Sequence, residues 1–557
     1  MRGMPAANLS TACLALTLLA GCTPQDSQQP GAEPPGDASS SASVARSAAS
    51  ATAARNEEAA PISLARGREL YARQCAACHG ATGHGDGAAS YLLYPRPRDL
   101  VAGHYRIVST WEGRPTDDDL LRTITRGMPG SAMPSWGHLP ETDRRSLVAF
   151  VKSLAAEPIA VATDAIPPVD GAPGHGLITP PPEPVFDEAA RARALDLFAQ
   201  ACASCHGPTG RGDGSQEQAD VEGLPIRPRD LTAGVFKGDP SPASVYRRIV
   251  AGIPGSPMPA SDWAHGDDAW HLTHLIRNWS SDTQRARMEM RPFTITAARV
   301  DRLPEHPDAG TWSAAEPVDL HLMPLWWRAE RPEELTVRAL HDGTDLALLL
   351  VWTDSTHDAT AMRPQDFRDA VAVQLSTEPD PPFFAMGERG RPVNIWMWKS
   401  ERQADLEPAF QDLEKVYPNL GIDSYPNLIK SPLEQPHRHA LTLESDPTFV
   451  SAWGAGNIVA DPRRASAIED LVAQGFGTLR ARLPARSTGK PGVDGRGTWD
   501  KNSYRVMFRR PLAVGPDALP LEPGSAAPIA FAVWDGHAGD RNGQKSLTIW
   551  QRLELAK

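Results

Sequence analysis

The feature that most constrains this chain is a repeated pentapeptide, Cys75-Ala76-Ala77-Cys78-His79 and Cys202-Ala203-Ser204-Cys205-His206. Each copy sits in a longer frame that recurs in order. The first runs Arg66-Gly67-Arg68-Glu69-Leu70-Tyr71, the pentapeptide, Gly80, Gly83, Gly85-Asp86-Gly87, Arg96-Pro97-Arg98-Asp99-Leu100 and Met128-Pro129-Gly130-Ser131-Ala132-Met133-Pro134. The second runs Arg193-Ala194-Leu195-Asp196-Leu197-Phe198, the pentapeptide, Gly207, Gly210, Gly212-Asp213-Gly214, Arg227-Pro228-Arg229-Asp230-Leu231 and Ile253-Pro254-Gly255-Ser256-Pro257-Met258-Pro259. Both copies close on a helical pattern, at residues 143–151 and 267–276. A duplicated unit of this kind means two small domains built to one plan.

Two thiols three positions apart lie on one helical turn, where each can add to a vinyl group of a haem while the adjacent histidine is aimed at the iron. Cys75, Cys78, Cys202 and Cys205 are therefore read as covalent attachment points, and His79 and His206 as proximal iron ligands. The sixth ligand must come from far along the chain. Met128 is matched by Ile253 whereas Met133 is matched by Met258, so internal comparison selects Met133 and Met258. A soft thioether favours ferrous iron and suits an electron carrier. A zinc site would need further ligands at recurring positions, and His84 is matched by Arg211. The Arg-Pro-Arg-Asp-Leu segments have two readings: Arg96, Arg98, Arg227 and Arg229 hold haem propionates through bidentate bonds, or the segments are proline-stiffened surface loops. The two units, at 61–157 and 187–283, resemble class I cytochrome c domains, which implies small all-α folds.

Only six cysteines occur, and four are in these motifs. Cys13 and Cys22 lie in an N-terminal segment whose apolar run, residues 12–22, is too short to span a bilayer and suits a signal peptide. Leu19-Ala20-Gly21-Cys22 resembles a bacterial lipobox, which implies removal of residues 1–21 and lipidation of Cys22. Acyl chains contribute about 0.8 kcal/mol per buried methylene and would hold an exported protein on a membrane. Residues 22–60, rich in Ser, Ala, Pro and Gly, read as a disordered tether, and residues 158–186 as a Pro/Gly-rich linker. A net charge of -12 with no basic stripe argues against a nucleic-acid partner.

From about residue 290 the composition changes: cysteines are absent, most tryptophans occur and apolar residues alternate with period two. Residues 335–340 and 346–352 around His341-Asp342-Gly343-Thr344 predict a hairpin, and 370–375, 503–508 and 528–534 further strands. The expected architecture is thus multidomain, two all-α domains followed by a mainly β domain, a β-sandwich, over 290–557. Phe384-Ala385-Met386-Gly387, the run Pro392-Val393-Asn394-Ile395-Trp396-Met397-Trp398-Lys399, Ala532-Val533-Trp534-Asp535-Gly536 and Gly543-Gln544-Lys545-Ser546 resemble the γ subunit of ethylbenzene dehydrogenase and related molybdenum enzymes. The resemblance implies a non-covalent haem b held between Met386 and Lys545. His357, His537 and Met397 are the alternative ligands. A ligating lysine must be neutral, so Lys545 has to be buried.

The chain therefore reads as an electron carrier with two covalent haem c and one haem b and without substrate chemistry of its own. It would pass electrons between the iron–sulfur subunit of a molybdenum oxidoreductase and a respiratory carrier, in the periplasm, on a lipid anchor. Two rival readings are a dihaem enzyme resembling a peroxidase or thiosulfate dehydrogenase, and a dihaem carrier whose C-terminal domain only docks a partner.

Overall fold

The computed structural model describes residues 61–557 except 160–164, 167–173, 221–222, 262–263, 265, 329–330, 361–362, 364, 377, 383–385, 408–465, 476–478, 482–491 and 515–518. The signal peptide, Cys22 and the tether, together with Phe384 and Ala385, lie outside the described residues. No helix among the described residues is long and apolar enough to cross a membrane.

The first repeat folds as α1 (Leu64–Gln74), the single turn α2 (Ala76–His79), α3 (Asp117–Arg126) and α4 (Glu141–Leu154). Ser63 caps α1, its Oγ accepting from the Arg66 amide at 3.3 Å. Thr116 and Asp119 form a capping box at the start of α3. Helices α1 and α4 cross at Gly67, where a Cβ would stand 2.0 Å from the Ser146 carbonyl oxygen. Leu70, Tyr71, Leu147, Phe150 and Val151 fill the core beneath that crossing. The second repeat folds as α5 (Glu188–Ala201), α6 (Ala203–His206), α7 (Pro242–Ala251) and α8 (Asp267–Asn278), followed by α9 (Asp282–Arg287).

The two repeats share backbone hydrogen bonds as well as helices. Gly85 and Gly212 donate to the carbonyls of His79 and His206, each at 2.9 Å, and Met128 and Ile253 donate to those of Met133 and Met258, each at 3.0 Å. An Arg–Asp pair ties the first helix to the last in each, Arg66 to Asp143 at 2.7 Å and Arg193 to Asp268 at 2.8 Å. The expected linker is partly built into the fold: Ile178 is 2 % exposed in the second core, its amide donates to Ser109 O at 2.9 Å, and Trp270 Nε1 donates to Pro181 O at 3.0 Å.

The C-terminal region forms a 14-stranded sheet: β1 (Thr294–Arg299), β2 (Val318–His321), β3 (Met323–Pro324), β4 (Glu334–His341), β5 (Asp345–Thr353), β6 (Ala370–Ser376), β7 (Val393–Lys399), β8 (Ile468–Ala473), β9 (Leu479–Ala481), β10 (Asp494–Asp500), β11 (Ser503–Pro511), β12 (Ala526–Trp534), β13 (Ser546–Leu547) and β14 (Gln551–Leu555). The predicted hairpin is β4–β5, with Thr336 opposite Val351 and an Asp342 carboxylate accepting from the Thr344 amide at 2.8 Å. The expected two-sheet sandwich takes a different form. The main strands follow one hydrogen-bonded path, β9-β8-β7-β6-β12-β14-β1-β4-β5-β11-β10, curled into a near-barrel. β1 closes the middle of that path by pairing in parallel with both β14 and β4. Gly497 on β10 lies so close across β7 that a Cβ would stand 2.2 Å from the Trp398 ring.

Alternation gives the sheet two apolar faces. Val371, Val373, Leu375, Trp396 and Trp398 point into the closed core against Trp352, Tyr504, Val506 and Phe508. The outer face of β6, β7, β8 and β12 carries Ala370, Ala372, Ile395, Leu471, Ala473 and Trp534, with Met386, Met397, Ala532 and Trp550 packed on it. Alanines on an outward apolar face leave room for a further layer, and that layer positions the third site.

Candidate functional site

In the first repeat Cys75, Cys78, His79 and Met133 line one pocket. His79 is half-buried, and desolvation holds its imidazole below the ordinary value despite the hydrogen bond of Nδ1 to Arg98 O at 3.0 Å. Donation through Nδ1 leaves the Nε2 lone pair free for a metal. Burial pushes the thiols of Cys75 and Cys78 up to about 12 and about 11, so both are protonated. Two thiols, an imidazole and a thioether lining one pocket are the donor set of a covalently attached, six-coordinate haem, and these residues fit that group.

The second repeat repeats this frame with one change. Burial lowers His206 against a backbone hydrogen bond to Arg229, the counterpart of that between His79 and Arg98, and raises Cys202 to about 11; the change lies at the second cysteine. Cys205 Sγ lies 3.4 Å from Gln216 Oε1 and 3.3 Å from Gln218 Nε2, a polar setting. Met258 sits in a loop closed like that of Met133, with its amide facing Ser256 Oγ at 3.4 Å as Met133 faces Ser131 Oγ at 3.5 Å.

Of the four arginines singled out from sequence, Arg98 and Arg229 reach across the interface of the repeats. Arg98 Nη2 donates to Gly255 O at 3.1 Å, and Arg229 Nη2 donates to Pro129 O at 2.8 Å. Equivalent arginines thus grip equivalent methionine loops in the opposite repeat. Arg229 and Lys237 of the second repeat also line the cavity of the first, beside Arg96, Arg98 and Arg106. Burial drives Arg229 down to about 10, and Lys237 is lowered well below its ordinary value, first by burial and then by Arg229, Arg106, Arg98 and Arg248. Such a concentration of buried positive charge calls for anions. Arg96 and Arg227 are exposed, Arg96 at the cavity wall. Arg106 and Lys237 were not picked out from sequence. The signal for them was their shared position, seven residues after Asp99 and Asp230.

The third pair of residues meets on the outer face of the sheet. Lys545 is 8 % exposed, and its Nζ lies 3.7 Å from Met386 Sδ and 4.9 Å from the centre of the Trp534 ring. Burial alone lowers its amine to about 8, and among the described residues it forms no ion pair with a carboxylate. Strand β13 anchors it: Leu325 donates to Lys545 O at 3.0 Å, and Ser546 pairs with Pro324 and Val533. Met386 is set by the Gly475 amide on its carbonyl at 2.8 Å and by Gly387, whose φ of +77° and lack of a Cβ admit the Ala473 carbonyl. A buried amine whose polar side-chain contact among the described residues is a thioether fits an axial pair for iron better than it fits a surface ion pair. Among the alternatives, Met397 packs on the same face, His357 Nδ1 is 2.8 Å from the Tyr504 hydroxyl, and His537 is exposed.

An apolar seam joins the first and third sites. Cys78, Leu92, Leu93 and Ala132 pack with Met290, Met323, Leu325, Leu547 and Ala532, and Ala532 also belongs to the face that holds Met386. Tyr94 stitches the seam, its amide donating to Leu325 O at 2.9 Å and its carbonyl accepting from Trp327 at 2.7 Å.

Comparison with known proteins covers the first repeat and the β domain. Residues 309–546 match the family model for ethylbenzene dehydrogenase, and residues 63–151 match that for the cbb3-type cytochrome c oxidase subunit III. The chain joins a cytochrome c domain to an ethylbenzene dehydrogenase-type domain. The first implies haem c and the second haem b. The chain is 36 % identical over 75 residues to a protein of Haloferax mediterranei named as a respiratory nitrate reductase haem subunit (ORF7), covering 13 % of this chain and 27 % of that one. It is 32 % identical over 108 residues to the dimethylsulfide dehydrogenase subunit gamma of Rhodovulum sulfidophilum, covering 17 % of this chain and 40 % of that one. The chain thus spans less than half the length of these two relatives. Among solved structures, a chain of the Kuenenia stuttgartiensis reducing HAO-like protein complex Kustc0457/Kustc0458 matches at 33 % identity, over 39 % of this chain and 96 % of that one, with a TM-score of 0.33.

Proposed function

We propose that the chain is a three-haem electron-transfer subunit, with two covalent haem c and one haem b, that relays electrons between the iron–sulfur subunit of a molybdenum oxidoreductase and a respiratory carrier. The observation that carries this reading is the buried, carboxylate-free contact of Lys545 Nζ with Met386 Sδ at 3.7 Å in a domain of the ethylbenzene dehydrogenase type. Haem iron, when bound, supplies the one-electron couple.

The residues of the chain do the rest. Cys75 and Cys78, and Cys202 and Cys205, tether the two c haems. His79 and His206 ligate from one side and Met133 and Met258 from the other, while Met386 and Lys545 hold the third. Arg98, Arg106, Arg229 and Lys237 bind propionates, with Arg96 and Arg227 at the rim. The seam at Cys78 and Ala532 makes the first cytochrome unit the neighbour of the b site, and the Arg98 and Arg229 bonds make it the neighbour of the second unit. Both contacts support a relay with the first unit in the middle. Two axial ligands on each of the three irons would suit a carrier rather than an enzyme.

Export by residues 1–21 and lipidation at Cys22 would keep the relay on the periplasmic side of a membrane. Purification of the mature chain from its native membrane tests the assignment. Co-purification of a molybdenum- and iron–sulfur-containing partner that reduces or oxidises its haems is expected. A chain that comes alone and turns over peroxide or thiosulfate by itself contradicts it.

A further inference from the structure

In each Arg-Pro-Arg-Asp-Leu segment the second arginine has two separate attachments. Through its backbone, Arg98 holds the proximal histidine of its own repeat, its carbonyl accepting from His79 Nδ1 at 3.0 Å. Through its side chain it reaches the methionine loop of the other repeat, Nη2 donating to Gly255 O at 3.1 Å. Arg229 makes the same two attachments in reverse: its backbone hydrogen-bonds His206, and its Nη2 donates to Pro129 O at 2.8 Å. The two links cross the interface of the repeats in opposite directions.

The loops are shaped to receive these side chains. In each a serine closes a tight turn ahead of the methionine, Ser131 Oγ donating to Met128 O at 2.6 Å and Ser256 Oγ to Ile253 O at 2.8 Å. Gly130 and Gly255 have φ of +70° and +68°, which favours glycine. A Cβ on Gly130 would collide with the Arg229 guanidinium, and one on Gly255 would stand 3.3 Å from Arg98 Nη1. Each guanidinium therefore occupies or borders the space that a side chain on the loop would need. Its bond to the loop carbonyl is charge-assisted, and such bonds are shorter and stronger than neutral ones. A guanidinium has five donor hydrogens, so a bond to the loop leaves others for a propionate.

We propose that Arg98 and Arg229 are positioning residues for the opposite haem: Arg229 keeps Met133 on the first iron and Arg98 keeps Met258 on the second. This deepens the reading of the repeats as methionine-ligated haem units and rests on it. A methionine side chain is flexible and its thioether uncharged, so its place on the iron depends on how firmly its loop is held. Outer partners that orient a ligand in this way are worth a large part of the ligation itself. Because the carbonyl of the same arginine orients the proximal histidine of its own repeat, each link runs from the proximal side of one iron to the distal side of the other. Axial ligation in either repeat is then a property of the pair.

The test uses the full haem-loaded protein in its ferrous form and reads the rate of carbon-monoxide binding at saturating gas, which is limited by departure of the methionine from the iron. Met258→Ala leaves the second haem open, so the slow phase reports the first haem, and Met133→Ala does the converse. Adding Arg229→Gln to Met258→Ala should quicken the slow phase roughly tenfold, whereas adding Arg98→Gln should leave it unchanged. In Met133→Ala the two arginines exchange roles. Both covalent haems, counted by pyridine haemochrome, should be retained throughout. Where a glutamine variant loses haem, the lysine variant, which keeps the charge and lacks the planar fork, is read in the same way. Acceleration at the haem of the arginine's own repeat, or at neither haem, overturns the crossed arrangement and leaves the haem assignments standing. Absence of a fast phase in both methionine variants overturns the ligand assignment, and the crossed arrangement with it.

Discussion

The two cytochrome-like repeats have nearly the same internal wiring and quite different surroundings. In the first, Cys78 is packed in an apolar seam with Leu93, Leu325 and Ala532, and the cavity is completed by Arg229 and Lys237 of the other repeat. In the second, Cys205 faces Gln216 and Gln218, and among the described residues no strand of the β domain is packed into its core. Duplication therefore explains how each unit holds its own group, and context explains what each unit is next to. In the proposed relay the repeat wedged between two neighbours would be the intermediate and the more polar one a terminus.

The largest effect should come from the third site. Lys545→Ala should lower extractable haem from about one per chain to under about a tenth, with both covalent haems intact and only the first changed in its optical spectrum. Equal change in both repeats would break the asymmetry. Next, Met133→Ala and Met258→Ala should each create one carbon-monoxide-binding haem per chain and lower that haem's potential. Double reactivity from one substitution would mean that the methionines are not independent ligands.

Packing offers a smaller contrast. Leu93 is 4 % exposed in the seam, whereas Leu224, its equivalent in the second repeat, is only half-buried. Leu93→Ala should cost about 2–4 kcal/mol in denaturant unfolding, and Leu224→Ala less than about 1 kcal/mol. The smallest effect separates the arginines. Arg229→Gln should lower the potential of the first haem, because removal of a buried cation disfavours the reduced state, while exposed Arg227→Gln should leave both potentials unchanged in a redox titration.

The repeat itself could be read from the chain because its signals are local: paired cysteines, glycines at fixed offsets and a methionine loop of constant length. The β4–β5 hairpin was legible for the same reason, through Asp342-Gly343. What escaped the sequence is long-range. Lys237 reaches the pocket of the first repeat across an interface that no motif marks, and Asp354, Asp369 and Asp535 are brought together only by strand order. The single curled path replaced the expected sandwich because alternation tells which face of a strand is apolar but not which strand it pairs with. Met386 and Lys545, 159 positions apart, were joined only through a family resemblance, and the fold brings them to 3.7 Å.

The most direct test of the three-haem account is quantitative pyridine haemochrome spectroscopy of the purified protein before and after acid–acetone extraction. The account predicts two non-extractable c-type haems and one extractable b-type haem per chain, with the b-type signal lost in Lys545→Ala. A purely c-type spectrum in a fully loaded wild-type protein, with nothing extractable, would contradict it.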